Sequence, residues 1–267
     1  MFENAAAYER FMGRWSRLVA PALIDFTDLP NQCRILDAGA GAGSLTFAIA
    51  ERRVHAHVVG IDPSRQSVAY AASRNPFPDR VTFELSDAQQ LRYPDATFDA
   101  ALSLLAFNFI PDPYKALREL CRVIRPGGKL AAAIWDYAGG MTMLRAFWDA
   151  AIHIDPQAET LDEKHMPLCR AGELSALWKE AGLERIREQS IDVAMNFASL
   201  SDYWDPFLLG QGPAGAYVRG LGSEKRNVLR DEVKRRLPLS AEDVPFVLPA
   251  RVWAVRGTSP HKPAVAG

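Results

Sequence analysis

Between residues 34 and 135 short apolar runs alternate strictly with stretches of helical periodicity, and that alternation leaves few folds open. Arg34-Ile35-Leu36-Asp37, His57-Val58-Val59-Gly60-Ile61-Asp62, Val81-Thr82-Phe83-Glu84-Leu85, the run from Phe98 to Leu104 and the run from Lys129 to Trp135 read as five strands. They are apolar along most of their length rather than at every second position, the pattern of strands buried on both faces. Helices read between them: Ser44 through Arg53, one opened by Pro63, and Pro113 to Ile124, stopped by Arg125-Pro126-Gly127-Gly128. The alternation predicts a parallel sheet covered by helices on both sides. Right-handed crossovers then bring the C-terminal ends of the first strands to one edge.

The flanks are less regular. Residues 6–26 carry Tyr8, Phe11, Met12, Trp15, Leu18, Val19, Ala22 and Leu23 at helical spacing, which predicts one or two helices broken near Pro21. Beyond residue 137, Met141–Ile154 reads as helix and 155–168 as a loop with Pro156 and Pro167. Ala171–Ala181 reads as a helix closed by Gly182, and 183–197 as a strand. Residues 199–240 read as helical or irregular, Val247–Arg256 as a last strand, and the Pro/Ala/Gly-rich end as a frayed tail.

Composition excludes several classes. The chain has 267 residues, 48% hydrophobic and 24% charged, an ordinary globular balance. No apolar run reaches the roughly 20 residues of a membrane span, and the opening MFENAAAYERFMGRW lacks the basic-then-apolar order of a secretory signal. Cys33, Cys121 and Cys169 are scattered and odd in number, which points to packed thiols and a cytoplasmic setting rather than a disulfide framework. A net charge of −1 lacks the basic footprint of a nucleic-acid partner, and Lys234-Arg235-Arg236 lies among acids as a solvated helix face would. His153, His165 and Cys169 match no zinc spacing, and the pair His55 and His57 makes no metal site.

The segment Asp37-Ala38-Gly39-Ala40-Gly41-Ala42-Gly43 joins the first strand to a helix. Glycines let the backbone turn sharply there and approach a ligand that a Cβ would repel. The spacing differs from the dinucleotide fingerprint, whose third glycine would fall at Ser44. A carboxylate at Asp37 is awkward beside a pyrophosphate and acceptable beside an ammonium group and a sulfonium. Asp62, ending the second strand, suits vicinal ribose hydroxyls. The alternative is a structural turn that binds nothing.

Taken together, Ile35 to Gly43 resembles motif I of the class I S-adenosylmethionine-dependent methyltransferases, and Val59-Gly60-Ile61-Asp62 resembles the next motif. Ser86-Asp87-Ala88 with Leu91 to Asp99 resembles the adenine segment, and Leu117 to Gly128 the helix and turn after strand four. The resemblance runs over about residues 33–136 and is closest to the type 11 group, which includes the ubiquinone/menaquinone methyltransferases. It implies a Rossmann-like α/β fold: a seven-stranded, mostly parallel sheet with helices on both faces and a helical cap inserted before the last strand. The implied division is an N-terminal helical lid (1–30), an S-adenosylmethionine-binding core (31–137), a half that completes the sheet and carries the substrate-binding insert (138–257) and a flexible tail (258–267).

The resemblance also implies roles. Asp37, with the backbone of Gly39, Ala40 and Gly41, would hold the amino-acid part of S-adenosylmethionine. Asp62 would bind the ribose with Pro63 beside it, and Asp87 and Ala88 would meet the adenine. Leu104 and Leu105 would flank the methyl group. Tyr8, Arg14 and Trp15 are candidates to close the site, Arg14 by pairing the cofactor carboxylate; packing of the first helix and a surface arginine are the plainer alternatives.

Methyl transfer from a sulfonium is an in-line displacement, so the protein chiefly aligns nucleophile, carbon and sulfur, and no fixed catalytic set is required. His165 and Tyr137 are candidate bases. Trp135, Trp204 and Tyr217 are candidate substrate residues, with the stretch Tyr203 to Phe207 as an aromatic lid or as plain core. The loop Asn108-Phe109-Ile110-Pro111 departs from the Asn/Asp-Pro-Pro-aromatic sequence of nucleic-acid amino methyltransferases, which favours a small-molecule acceptor. A non-catalytic cofactor-binding regulator or partner subunit and an NAD-dependent oxidoreductase are the competing readings. The acceptor, its attacking atom, the need for a base and the oligomeric state stay open.

Overall fold

Seven strands form one sheet: β1 (Arg34–Ala38), β2 (His57–Asp62), β3 (Val81–Leu85), β4 (Phe98–Leu104), β5 (Ile124–Trp135), β6 (Glu184–Phe197) and β7 (Phe246–Thr258). The structure is a computed structural model and describes residues 8–260. The strand order is β3-β2-β1-β4-β5-β7-β6. The first five strands are parallel, and β7 inserts antiparallel between β5 and β6. This is the Rossmann-like, mostly parallel arrangement that the resemblance implied, built on the parallel strands that the alternation predicted.

The inner parallel strands β1, β2, β4 and β5 are apolar on both faces because both are covered, whereas the edge strand β3, expected to be buried as well, buries only Val81 because no described strand pairs beyond it. Ile35, Leu36, Val58, Ile61, Ala101, Leu102 and the run Leu130–Trp135 are all buried. The helices are α1 (Arg14–Thr27), α2 (Ser44–Arg52), α3 (Arg65–Ser73), α4 (Pro113–Val123), α5 (Thr142–Ile154), α6 (Glu173–Glu180), α7 (Leu200–Leu208), α8 (Gly212–Gly220) and α9 (Ser223–Arg236). The last three lie between β6 and β7 in sequence, where a helical insert was expected. Ser64 caps α3 by accepting from the Ser67 N–H at 3.2 Å, so that helix begins two residues after Pro63.

Two sequence expectations shift. The first helix does not break at Pro21: α1 runs through it, and the break is a π-helical turn (Glu9–Gly13) ahead of it. Val19, Ala20, Leu23 and Ile24 are fully buried around Pro21, and that burial outweighs the missing backbone hydrogen bond. Nor is Thr258 the start of a loose tail. Thr258 pairs with Lys129 and Glu184, and Ser259 exchanges backbone hydrogen bonds with Gly127 and Gly128 at 3.0 and 2.9 Å. Residues 261–267, the rest of the expected tail, and residues 1–7 of the expected lid lie outside the described residues.

The site is positioned where β1 and β4 part. Their last paired residues are Asp37 and Leu102. Past that point the chain turns from β1 toward β2, while β4 is flanked by β5, which makes this the switch point at which open α/β sheets hold ligands. The Ser103 hydroxyl donates to the Ala38 carbonyl at 2.7 Å and ties the two strands together at the divergence.

Candidate functional site

A cavity of about 690 Å3 opens at this edge. Its walls come from four strand ends and one outlying residue. Gly39, Gly41 and Ala42 follow β1; Asp62, Pro63 and the start of α3 follow β2; Ser86 to Gln89 follow β3; Leu104, Leu105, Ala106 and Phe109 to Pro111 follow β4; Tyr8 arrives from the N-terminal segment.

The glycine corner is folded by its own hydrogen bonds. The Gly39 and Ala40 N–H groups both donate to the Ile61 carbonyl at 2.9 Å, and the Gly41 N–H donates to Asp62 Oδ2 at 3.0 Å. Gly39 has φ +81°, and a Cβ there would sit 2.4 Å from the Ala106 Cβ, so no other residue fits. Gly41, at φ +54°, would direct a Cβ into open space with no protein atom within 4 Å. These amides are thus engaged within the protein, and what the corner presents to a ligand is bare backbone surface.

Asp62 faces the cavity with both oxygens anchored: Oδ1 accepts the Ser64 N–H at 2.8 Å and Oδ2 that of Gly41. Burial raises its carboxyl above the usual range, and the two N–H donors oppose the rise. Asp37 is fully buried and off the cavity wall. Its Oδ2 accepts from the Thr46 hydroxyl at 2.5 Å, while Oδ1 has no hydrogen-bond partner. Burial pushes this carboxyl up to about 7, against the Thr46 hydrogen bond and with help from the Asp62 charge.

Pro63, Asp87, Ala88, Leu104 and Leu105 line the cavity together with Gly39, Gly41, Asp62 and Tyr8. Asp87 is exposed and accepts from the backbone and side-chain N–H groups of Gln89 at 2.8 to 3.1 Å. Leu105 holds φ +60°, a left-handed conformation costly for a leucine, pinned by its N–H to the Ala133 carbonyl at 2.8 Å. Such strain concentrates at ligand sites.

Other expected site residues lie elsewhere. Arg14 does not line the cavity: its guanidinium donates to both Asp202 oxygens at 2.8 and 3.0 Å and stacks 4.1 Å over the Trp15 ring. Ala40 is buried behind the corner. Trp15 packs on Phe197, with ring centroids 5.0 Å apart, and Trp135 is buried in the sheet. Trp204 packs against Phe207, which stacks on Phe147 at 4.6 Å; Tyr217 packs on Trp148 at 5.8 Å. The aromatic stretch is therefore the core of the cap, because rings this large bury most favourably against one another. His165 is exposed, 3.3 Å from Glu159, and Tyr137 is buried at the end of β5. The apolar residues Ala106 and Phe109 to Pro111 were missed as wall residues. Their place directly after an inner parallel strand was the available signal.

Residues 36–132 match the family described as a methyltransferase domain. Curated relatives are similar over stretches of comparable length. The 27-O-demethylrifamycin SV methyltransferase of Amycolatopsis mediterranei (strain S699) is 40% identical over 101 residues, 37% of this chain and 37% of that protein. The demethylmenaquinone methyltransferase of Clavibacter sepedonicus is 38% identical over 97 residues, 36% of this chain and 39% of its own length. The chain thus spans about two fifths of the length of these curated relatives. The fold as a whole matches Haemonchus contortus phosphoethanolamine N-methyltransferase 2, solved with S-adenosyl-L-methionine, at a TM-score of 0.61 and 18% identity over 96% of this chain and 57% of that one. The matched residues 36–132 supply every cavity wall except Tyr8.

Proposed function

We propose that the cavity binds S-adenosylmethionine and that the protein transfers its methyl group to a small-molecule acceptor. The observation that carries the reading is the anchored Asp62 carboxylate facing a cavity at the glycine corner of a methyltransferase domain. The residues fit such a ligand. Each Asp62 oxygen keeps a lone pair for a vicinal hydroxyl, and Gly41 leaves open space beside it. When bound, the group supplies a methyl carbon already activated by a sulfonium.

The side chains then orient and exclude. Asp62 grips the sugar, with Pro63 and Ala88 flanking a flat base and Asp87 at its rim. Leu104, Leu105 and Phe109 keep water from the reacting end, and Tyr8 covers the mouth. Holding donor and acceptor in line is the main source of rate in such a displacement. The wall after β4 is apolar throughout, which supports an uncharged acceptor with a flat or apolar body. The relatives above are named for 27-O-demethylrifamycin SV and demethylmenaquinone, which supports a small-molecule acceptor.

Calorimetry with S-adenosylmethionine, S-adenosylhomocysteine and NAD tests the reading. The first two are expected to bind and NAD is not; binding of NAD alone, or of none, sinks it. Transfer of label from methyl-labelled donor into a metabolite extract is the expected second result.

A further inference from the structure

The Gln89 side chain is hydrogen-bonded to two walls of the cavity at once. Its Nε2 donates to both oxygens of Asp87, at 3.1 Å to Oδ1 and 3.0 Å to Oδ2, and its Oε1 accepts the Asp112 N–H at 3.0 Å. Asp87 stands in the wall that follows β3, and Gln89 itself lines the cavity. Asp112 comes directly after Phe109, Ile110 and Pro111, which stand in the wall that follows β4. A carboxamide suits this place because it donates at one end and accepts at the other. The Asp112 end has no substitute: Pro111 and Pro113 carry no N–H, so Asp112 offers the one backbone donor of these three residues. Asp112 also caps α4, its Oδ1 accepting the Lys115 N–H at 2.8 Å.

A second tie joins the same two segments away from the cavity. Arg122 of α4 donates to the Leu91 and Tyr93 carbonyls at 2.9 and 2.8 Å, and Glu119 accepts the Leu91 N–H at 2.8 Å. Neither Arg122 nor Glu119 lines the cavity. The segment after β3 is therefore fixed to the body of α4 independently of the cavity, and Gln89 adds an attachment at the start of that helix. This attachment is open to water: Asp87 and Asp112 are exposed and Gln89 is half-buried. A hydrogen bond in contact with water is readily exchanged for one to water, and shielding makes it hold more firmly. A flat base resting on Ala88 beside Asp87 would shield this one.

We propose that Gln89 is a positioning residue that carries donor occupancy from the Asp87 wall to the acceptor wall, so that the donor binds first and the acceptor meets a wall already set. The inference rests on the methyl-transfer reading above. With the donor seated, Asp87 is covered and its carboxylate holds the Gln89 carboxamide in one orientation. The carboxamide oxygen then fixes the Asp112 N–H, and with it the short run Phe109-Ile110-Pro111. That run is part of the apolar surface against which an acceptor lies. A wall set in advance spares acceptor binding the ordering of the loop, which is one source of positive coupling between two ligands.

The test reads amide hydrogen exchange over residues 107–116 of the full-length protein, with and without saturating S-adenosylhomocysteine, beside calorimetry of the same ligand. In the wild type the ligand is expected to slow exchange there by about fivefold or more. Two variants each cut one end of the bridge. Gln89→Lys still donates to Asp87 but accepts nothing from Asp112. Its dissociation constant should stay within about threefold of wild type while the protection is lost. Gln89→Glu still accepts from Asp112 but sets a carboxylate against Asp87. It should also lose the protection, and bind the ligand about threefold or more weakly. A side chain that only supports the fold would not separate the two readouts in Gln89→Lys. Protection that persists in either variant, as direct contact of the ligand with Phe109 would give, overturns the proposal. So does a Gln89→Lys that loses protection only in step with binding, or a wild type that binds the ligand without protection; in these cases the methyl-transfer reading stands. If the wild type binds no S-adenosylhomocysteine, that reading falls and this inference with it.

Discussion

Asp62 accepts backbone N–H groups from two loops and turns its remaining lone pairs to the cavity, so its replacement touches both ligand and corner. Asp62→Ala is expected to weaken S-adenosylmethionine binding by about tenfold or more, the scale of two charge-assisted hydrogen bonds, as read by calorimetry. A second residue-scale expectation concerns pH. Asp37 and Glu163 are both pushed up to about 7 by burial, whereas in the unfolded chain they ionise near ~4. Between those values the folded state holds the extra protons. Their contribution to stability is therefore full below the unfolded values and is lost as pH rises through about 7. Urea unfolding of the ligand-free protein should give a lower stability at about pH 8 than at about pH 5, by roughly 2–3 kcal/mol for each group. Asp37→Asn, which still accepts from Thr46, should remove its share of that slope, and Asp37→Asn with Glu163→Gln most of it. A slope unchanged in the double variant would refute the account.

At the scale of elements, the N-terminal segment is held over the site by a contact made far from it. Arg14 pairs with Asp202 of α7 across 188 residues of sequence, and Asp202 also accepts the Ala198 N–H at 3.0 Å. Both partners are about a quarter to a third exposed, so the pair itself contributes little, about 0.2–1 kcal/mol. Tyr8 lies six residues before Arg14, so the pair is expected to help hold it at the cavity wall. Arg14→Ala and Asp202→Ala are each expected to change unfolding stability by under about 1.5 kcal/mol and to weaken donor binding a few-fold. The double variant should bind no worse than either single one. Independent, additive losses in that cycle would show that the pair does not act on Tyr8. The cap behind it, with Phe147, Trp148, Phe207 and Tyr217 packed ring on ring, explains why aromatic residues that suggest a substrate surface lie off the cavity.

At the scale of the whole molecule, the cavity is assembled from β1, β2, β3 and β4 ends and one N-terminal residue, so a ligand filling it bridges the sheet's switch point. Donor at about a hundred times its dissociation constant is expected to add about 2.7 kcal/mol and to raise the melting temperature by roughly 5 °C or more, with no shift from NAD. Asp62→Ala should lose most of the shift at the same concentration. The glycine corner and Asp62 could be read from the chain because each depends on neighbours a few residues away, whereas Asp87-Ala88 and Leu104-Leu105 came only with the family resemblance. A strand end, its turn and the next helix carry their own pattern of apolar runs, glycines and carboxylates. Arg14, Trp135, Trp204 and Tyr217 could not be so read. Whether a guanidinium meets a ligand or Asp202, and whether a ring faces a cavity or another ring, depends on residues brought close only by folding. The same holds for Glu163, an unremarkable residue in a loop until folding buries its carboxylate against the Trp148 indole. Local periodicity and turn chemistry thus determined the inner strands of the sheet and the glycine corner at its edge. Long-range packing alone decided which polar groups are neutralised and which are left to act, because pairing and desolvation are properties of the assembled interior rather than of any segment.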